Sequence, residues 1–324
     1  MTRKTIGRKP PKAVAARILA VLLICGITAG CGSGVKGERE SSEPFSQIVE
    51  NARVSYLGPE GTYTEEAARF FFPNAGNMLP KPSVQDAIAD VAAGAADYAV
   101  IPQENTLGGA VTNYVDALIA QDDVFVVGEV ILPISQTLMG VPGASLDEIR
   151  TVCSHAQGLA QSAAWREEHL PDAALQEMAS TAAAASYVAE TGDKTIAAIA
   201  APGAAELYGL SVLAKNVQIT DANKTRFYVL SSSELTGDFH TRAVLAATCE
   251  AGRIDDIIIE IHKAGLEMVT IHDRPEGSYL GSYHYVLEVE NPGGMNGRQR
   301  EAIKAIPEVR FLGCFDVTEK SADG

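Results

Sequence analysis

The sequence predicts an α/β fold in two parts: a two-lobed body that encloses a cleft, followed by a smaller ferredoxin-like module. Short apolar runs alternate with helical segments over residues 53–232, which predicts a mostly parallel sheet with helices on both faces. Residues 240–318 instead follow the order βαββαβ, which is the ferredoxin-like plan and is typical of small regulatory modules. We place the boundary in the polar stretch at about 232–241.

The composition excludes several classes of protein. The 324 residues are 46% hydrophobic and 21% charged, which is ordinary for a globular protein and too apolar for a disordered one. The 26 Lys and Arg against 41 Asp and Glu give a net charge of -15, so we expect no nucleic-acid partner. The five Cys form no CxxC pair, so we expect neither a structural zinc site nor a disulfide framework.

The N-terminal segment predicts a secretory leader. Residues 1–37 carry seven Lys and Arg and no acidic residue, and within them lies the apolar run 18–30. A basic segment followed by a short apolar one is typical of a leader. The 13 residues of that run are fewer than the roughly 20 needed to span a bilayer.

Residues 28–31 are similar to a lipoprotein lipobox, although Thr28 stands where that motif usually has Leu. This predicts a leader over residues 1–31, lipidation of Cys31, and a membrane-anchored protein that faces outside the cytoplasm. Residues 32–52, rich in Gly, Ser and Glu, then form a flexible tether. An uncleaved anchor, or a misassigned start codon on a cytoplasmic protein, stays open.

The elements of the body follow from local signals. Thr62 and Glu65 have capping-box spacing for a helix that Pro73 ends, and Ser83 caps the next helix. The predicted strands are Arg53–Leu57, Asp97–Ile101, Phe125–Leu132, Thr151–Cys153, Thr195–Ile199 and Thr225–Leu230. The predicted helices are Glu66–Phe72, 83–93, one that ends near 120, Gln157–Glu168, Thr181–Glu190 and Pro202–Tyr208.

The C-terminal module has its own pattern. Its predicted strands are Ala243–Ala247, Met268–His272, Tyr283–Val289 and Val309–Phe315, and its predicted helices are Ile254–Ala264 and Arg298–Ile306.

Four polar loops of the body lie at the predicted carboxyl ends of strands, where ligands bind in open α/β sheets: 58–64, 102–109, 154–161 and 221–227. They offer hydroxyls, amides, carboxylates, His155 and one Arg, but no phosphate loop, metal set or Cys–His pair. Glycines near helix starts leave backbone N–H groups free to hold a carboxylate. The loops therefore suit a small anionic organic acid, and we expect no cofactor and no metal.

Five motifs carry a resemblance to the prephenate dehydratases. They are the segments GPEGTYT at 58–64, PQENT at 102–106, SHAQ at 154–157, STAAA at 180–184 and TRF at 225–227, in the order and spacing of that family over about 53–317. The resemblance implies a carbon–oxygen lyase that converts prephenate to phenylpyruvate in L-phenylalanine biosynthesis. Because no chorismate mutase segment precedes the body, we expect a monofunctional enzyme.

The resemblance also implies roles for individual residues. Thr225 lies near the leaving hydroxyl, with Glu104 or His155 as the alternative proton source, and Arg226 clamps a carboxylate of the substrate. The other residues implied to contact substrate are Asn105, Thr62, Ser154, Gln161 and Phe227. Thr62 and His155 can instead serve as helix caps, and Arg226 as an exposed residue at a strand start.

The C-terminal module resembles the ACT domain that binds phenylalanine in this family. Gly252 and Arg274 stand at the positions implied for a phenylalanine site, but His272 and Asp273 replace the Glu-Ser of the family pattern. Added charge near an apolar pocket carries a desolvation cost. The module either senses phenylalanine or serves only to assemble homodimers or homotetramers.

Two alternatives to prephenate dehydratase remain. The first is a non-catalytic, lipid-anchored binding protein for an aromatic or dicarboxylic acid, because two lobes around a cleft behind a lipidated Cys are the plan of periplasmic binding proteins. The second is arogenate dehydratase, whose substrate differs only in its side chain.

Overall fold

The computed structural model describes residues 49–321, except residues 112, 236 and 238. The predicted leader, Cys31 and nearly all of the predicted tether lie outside this range. No helix of the described residues is both long and apolar enough to cross a bilayer.

The described residues form sixteen strands and nine α-helices. The strands are β1 (Arg53–Leu57), β2 (Asn77–Lys81), β3 (Tyr98–Asn105), β4 (Gly109–Ala110), β5 (Phe125–Pro133), β6 (Thr137–Gly140), β7 (Thr151–Ser154), β8 (Ala174–Glu177), β9 (Ile196–Ala200), β10 (Ser211–Ala214), β11 (Lys224–Ser231), β12 (Arg242–Glu250), β13 (Glu267–Pro275), β14 (Ser282–Glu290), β15 (Val309–Phe315) and β16 (Val317–Glu319). The helices are α1 (Tyr63–Phe71), α2 (Val84–Ala92), α3 (Asn113–Ile119), α4 (Ala156–Gln161), α5 (Ala163–His169), α6 (Thr181–Thr191), α7 (Pro202–Leu207), α8 (Arg253–Lys263) and α9 (Gly297–Lys304).

The first lobe is built on a seven-stranded sheet in the order β16-β5-β11-β3-β1-β2, with β4 paired to β3. The expectation of a mostly parallel sheet is wrong, because β11 runs antiparallel to both β3 and β5. The reason is connectivity: the chain leaves this lobe at Pro133 and returns beside it at Lys224. Strand β11 therefore starts where its neighbours end.

The second lobe holds a five-stranded sheet in the order β10-β6-β9-β7-β8. Here too the sheet is mixed, since β6 is antiparallel to β9 and β7 is parallel to it. The predicted single helix over 157–168 is divided at Ser162 into α4 and α5. The hydroxyl of Ser162 donates to the Gly158 carbonyl at 2.8 Å, a back-bond that bends helices.

The C-terminal module has the predicted βαββαβ order, and its antiparallel sheet runs β13-β14-β12-β15. One face of this sheet packs on α8 and α9 through Ile257, Ile261 and Ile303. The other face packs on the first lobe, in a core shared by Val244, Val286, Phe315, Ile88, Tyr114 and Leu118. Gly313 on β15 lies so close to the Val126 carbonyl of β5 that a Cβ there would overlap it.

Candidate functional site

A cleft of about 830 Å³ lies between the two lobes. The first lobe contributes the end of β1, the start of α1, the end of β3 and the start of β11, and the second lobe contributes the starts of α4 and α6. Six residues that the sequence predicts for the site line this cleft: Thr62, Asn105, His155, Gln161, Thr225 and Phe227.

Asn105 and Thr225 form the centre of the first-lobe wall. They lie opposite each other on β3 and β11, and the Asn105 amide Nδ2 donates to the Thr225 Oγ1 at 2.8 Å. Because this bond uses an acceptor lone pair of Thr225, the hydroxyl hydrogen is left for another acceptor. The pair thus presents an oriented O–H donor at the cleft.

A chain of side-chain amides supports this pair. Gln157 Nε2 donates to Asn105 Oδ1 at 3.2 Å, and Asn105 Nδ2 donates to Asn223 Oδ1 at 2.9 Å. Gln161 Oε1 then accepts from both Asn223 and Gln136 at 3.2 Å. The described bonds of Gln161 use only its oxygen, which leaves its N–H groups available to a ligand.

Three helices begin at the cleft, and each has a side-chain cap. On α1, Thr62 Oγ1 accepts from the backbone N–H of Glu65 at 3.4 Å. On α4, His155 Nδ1 accepts from the backbone N–H of Gln157 at 3.3 Å, and Ser180 caps α6. The capping interpretation of Thr62 and His155 is therefore confirmed, while both residues also line the cleft. Helix N-termini carry positive potential, which favours anions.

Lys81 is a cation that the sequence analysis missed. It ends β2, lines the cleft and lies 2.6 Å from Asp90, and its side chain is 27% exposed. Asn223, Gln136 and Gln157 were also missed. Gln157 ends the recognised SHAQ motif, which was its signal, whereas Asn223 and Gln136 lie outside all five motifs and only the fold brings them to Asn105 and Gln161.

Ser154 lies away from the cleft, contrary to its predicted contact with substrate. It ends the buried strand β7, is itself buried, and donates its hydroxyl to the Ile199 carbonyl at 2.7 Å. Gly158 packs on this hydroxyl so closely that a Cβ would overlap it. Ser154 therefore joins two strands of the second lobe.

Arg226 and Glu104 also lie outside the cleft lining, contrary to their predicted catalytic roles. Successive side chains of a strand point to opposite faces. Thr225 and Phe227 face the cleft, so Arg226 between them faces the C-terminal module, where it pairs with Glu104, Glu129 and Glu288. Arg226 is thus not placed to clamp a substrate carboxylate.

A register shift between β3 and β11 explains why the Glu104 side chain lies on the same face of the sheet as Arg226. Arg226 lies opposite Glu104 but Phe227 lies opposite Pro102, so Gln103 is an extra residue on β3. Gln103 is fully buried and donates to the Tyr228 hydroxyl at 2.8 Å, on the module side. The bulge keeps Pro102 and Asn105 in the cleft lining.

The charged cluster behind the cleft is largely buried. Burial raises the pKa of Glu129 to about 7, although the hydrogen bond from Arg226 opposes this. Burial alone lowers the pKa of Arg226, but Glu129 and Glu288 outweigh it and raise the pKa above its ordinary value. Burial lowers the pKa of His272, which bonds the Tyr114 hydroxyl at 2.5 Å.

The two residues predicted for a phenylalanine site lie in different surroundings. Gly252 is exposed at the N-terminal end of α8, where no side chain caps the helix. Arg274 on β13 pairs with Asp116 of α3 at 3.1 Å, so it contacts the first lobe.

The cleft is lined by residues of the recognised motifs. Comparison with known protein families assigns the chain to one of them. A prephenate dehydratase family model matches residues 54–235. The chain belongs to the prephenate dehydratase family. A bifunctional chorismate mutase/prephenate dehydratase from Neisseria gonorrhoeae is 35% identical over 251 residues, which cover 77% of this chain and 67% of that protein. A prephenate dehydratase from Amycolatopsis methanolica is 34% identical over 273 residues, covering 82% and 88%.

Two solved structures match most of the chain. A prephenate dehydratase from Arthrobacter aurescens, in complex with L-Phe, matches with a TM-score of 0.73 and 30% identity, covering 82% of this chain and 90% of that one. GqqA, described as a novel type of quorum quenching acylase, matches with a TM-score of 0.72 and 26% identity, covering 82% and 98%. Membership of the family makes this chain a lyase-type dehydratase.

Proposed function

We propose that the cleft between the two lobes is where this chain converts prephenate to phenylpyruvate, CO2 and water. The observation that carries this proposal is the Asn105–Thr225 pair, whose hydrogen bond leaves the Thr225 O–H available in a cleft that both lobes line. The reaction is the decarboxylating dehydration of L-phenylalanine biosynthesis.

The reaction requires only that the protein position the substrate and supply one proton. As the ring C–CO2 bond breaks, its electron pair moves into the ring and expels the C4 hydroxyl, which takes a proton and leaves as water. Aromatisation supplies the driving force. The enzyme must therefore hold two carboxylates, deliver a proton to the departing oxygen and exclude bulk water.

Thr225 is the donor for the departing hydroxyl in this proposal. A threonine hydroxyl is a weak acid, so the proton it gives must be replaced from a group that titrates more readily. We assign this role to His155, since its imidazole lines the same cleft while Glu104 faces the C-terminal module. Phe227 gives the apolar wall for the ring.

Backbone groups and Lys81 hold the carboxylates in this proposal. The N-termini of α1 and α6 face the cleft from opposite lobes, which suits a dianion with one carboxylate on ring carbon C1 and a second on the pyruvyl chain of the same carbon. Lys81, which pairs with Asp90 at 2.6 Å, adds an ammonium donor on the first-lobe side, and the Gln161 amide adds a neutral donor. These groups take over the role that the motif had suggested for Arg226.

The purified full-length chain, mixed with prephenate at neutral pH, tests the proposal by phenylpyruvate formation measured by absorbance in base. We expect turnover well above the slow spontaneous aromatisation in buffer. Thermal stabilisation by prephenate without turnover would favour the binding protein instead. Arogenate, and an N-acylated amide suggested by the GqqA match, are assayed in parallel, and faster turnover of either would reassign the substrate.

We also propose that the C-terminal module is an ACT domain that binds phenylalanine and assembles homodimers or homotetramers. The βαββαβ order and the L-Phe complex of the Arthrobacter aurescens enzyme support this. Titration calorimetry with phenylalanine, together with light scattering, tests it. Absence of both heat and a shift in melting temperature would contradict the effector role, and a monomer would contradict the assembly role.

The leader pattern supports a third proposal, a lipid anchor at Cys31 that holds the enzyme outside the cytoplasm. The full-length chain should incorporate labelled palmitate covalently, and the Cys31→Ser variant should not. Recovery of an unlabelled, uncleaved chain in the soluble fraction would contradict it.

A further inference from the structure

Glu288 connects the C-terminal module to the catalytic strands. It lies on β14, its side chain has no exposed surface, and its Oε1 accepts from Arg226 Nη2 at 2.5 Å and from Arg242 Nη1 at 2.7 Å. Its Oε2 accepts from the Tyr228 hydroxyl at 2.8 Å and from Gln103 Nε2 at 3.5 Å. A buried carboxylate is tolerated only when it is fully bonded in this way.

The partners of Glu288 lie beside the reactive pair in sequence. Arg226 follows Thr225 on β11, and Gln103 is the extra residue of the bulge two positions before Asn105 on β3. Glu288 therefore bonds both strands at the point where their register shifts. A change of register there would move Asn105 relative to Thr225, because the bulge lies next to the Arg226–Glu104 register pair.

We propose that Glu288 is a positioning residue for the dehydratase reaction, which acts through Arg226, Tyr228 and Gln103 to hold Asn105 and Thr225 in register. None of its described hydrogen-bond partners lines the cleft, so it acts on the geometry of the pair and not on substrate binding. This inference rests on the proposed function of the cleft. It assigns a residue of the C-terminal module to the catalytic step.

Glu288→Gln tests the inference, since the amide keeps the size of the side chain and removes its charge. We expect kcat for prephenate to fall about tenfold with KM changed less than about twofold, because misplacement of a reacting group lowers the rate without removing binding contacts. The matched control is Glu290→Gln on the same strand, whose carboxylate pairs with Arg242 at 3.0 Å and is partly exposed. The control should keep wild-type kcat.

A second readout does not depend on turnover. Backbone hydrogen exchange over residues 223–228 and 102–106 should be faster in Glu288→Gln and unchanged in Glu290→Gln. If Glu288→Gln does not fold, Tyr228→Phe removes one bond to Glu288 and should lower kcat by about threefold without changing KM.

The outcomes separate the two claims. Absence of prephenate turnover by the wild-type chain would contradict the proposed function, whatever the hydrogen-exchange data show. With an active wild-type chain, a lower melting temperature at unchanged kcat and unchanged exchange in Glu288→Gln would overturn the positioning role. A rise in KM as large as the fall in kcat would also overturn it.

Discussion

The two faces of the first sheet differ in chemistry although they share the same strands. The cleft face presents neutral hydroxyls and amides, with Asn105 and Thr225 at its centre. The opposite face carries buried carboxylates around Arg226 and packs on the C-terminal module. Adjacent residues of one strand therefore belong to different functions, so a short motif on a strand cannot be assigned whole to one site.

This division also explains how a net negative protein can bind a dianion. The carboxylates of Glu129 and Glu288 face away from the cleft and are paired with Arg226 and Arg242. The cleft itself is lined by helix N-termini, amides and Lys81. Its local potential is thus set by backbone dipoles and the Lys81–Asp90 pair, not by the net charge of the chain.

The largest expected effect is at Thr225. Thr225→Val keeps the shape of the side chain and removes the hydroxyl, so we expect kcat to fall by about 10²–10³ with little change in KM. Thr225→Ser, which keeps an O–H, should retain most of the activity. Steady-state kinetics with prephenate measures both, and equal activity of the Val and Ser variants would show that the hydroxyl takes no part.

The next effect concerns the direction of the Thr225 hydroxyl. In Asn105→Asp the amide donor becomes a carboxylate acceptor, so Thr225 donates to residue 105 and turns its hydrogen away from substrate. We expect kcat to fall by about 10- to 100-fold. Asn77→Asp, at an exposed position of β2, is the control for the added charge and should behave as wild type. An active Asn105→Asp enzyme would contradict the assigned direction of the bond.

A smaller effect is expected for substrate binding at Lys81. Lys81→Met removes the proposed charge-assisted hydrogen bond to a carboxylate of prephenate. We therefore expect KM to increase about tenfold at nearly constant kcat. Lys194→Met, on the exposed surface of the second lobe, controls for the loss of one positive charge. If both variants kept the wild-type KM, the carboxylate would be bound elsewhere.

The smallest effect is a pH dependence on the module face. The pKa of Glu129 is raised from its ordinary 4.5 to about 7, so the folded chain holds a proton there that the unfolded chain has lost. Its contribution to stability is present at low pH and is lost as the pH rises through about 7. Glu129→Gln is neutral throughout, so its melting temperature relative to wild type should rise by a few degrees between pH 5 and pH 8. An unchanged difference over that range would mean that Arg226 holds this pKa at or below its ordinary value.

Long apolar runs made most of the fold predictable from the sequence. The strands at Arg53–Leu57 and Val309–Phe315 have the predicted limits. Strands β2, β4, β6, β8, β10 and β16 were not predicted, because each is short and four of them, β2, β8, β10 and β16, lie at sheet edges. The antiparallel direction of β11 depends on where the chain re-enters the first lobe, which no local pattern records.

The sequence predicted which residue types form the site, but not the face of the sheet on which each side chain lies. Motifs brought Thr225, Asn105 and His155 to the cleft, while Arg226 and Glu104 were misplaced because side-chain direction depends on strand register and on the bulge at Gln103. The supporting amides, such as Asn223, are joined to the pair only by folding.

The most direct test of this account is the structure of the Thr225→Val variant with prephenate bound, since the slow variant should retain intact substrate. We predict the C4 hydroxyl of prephenate beside residue 225, with its carboxylates at the N-termini of α1 and α6 and near Lys81. Prephenate bound with a carboxylate on Arg226, or outside the cleft between the lobes, would contradict the separation of the two faces.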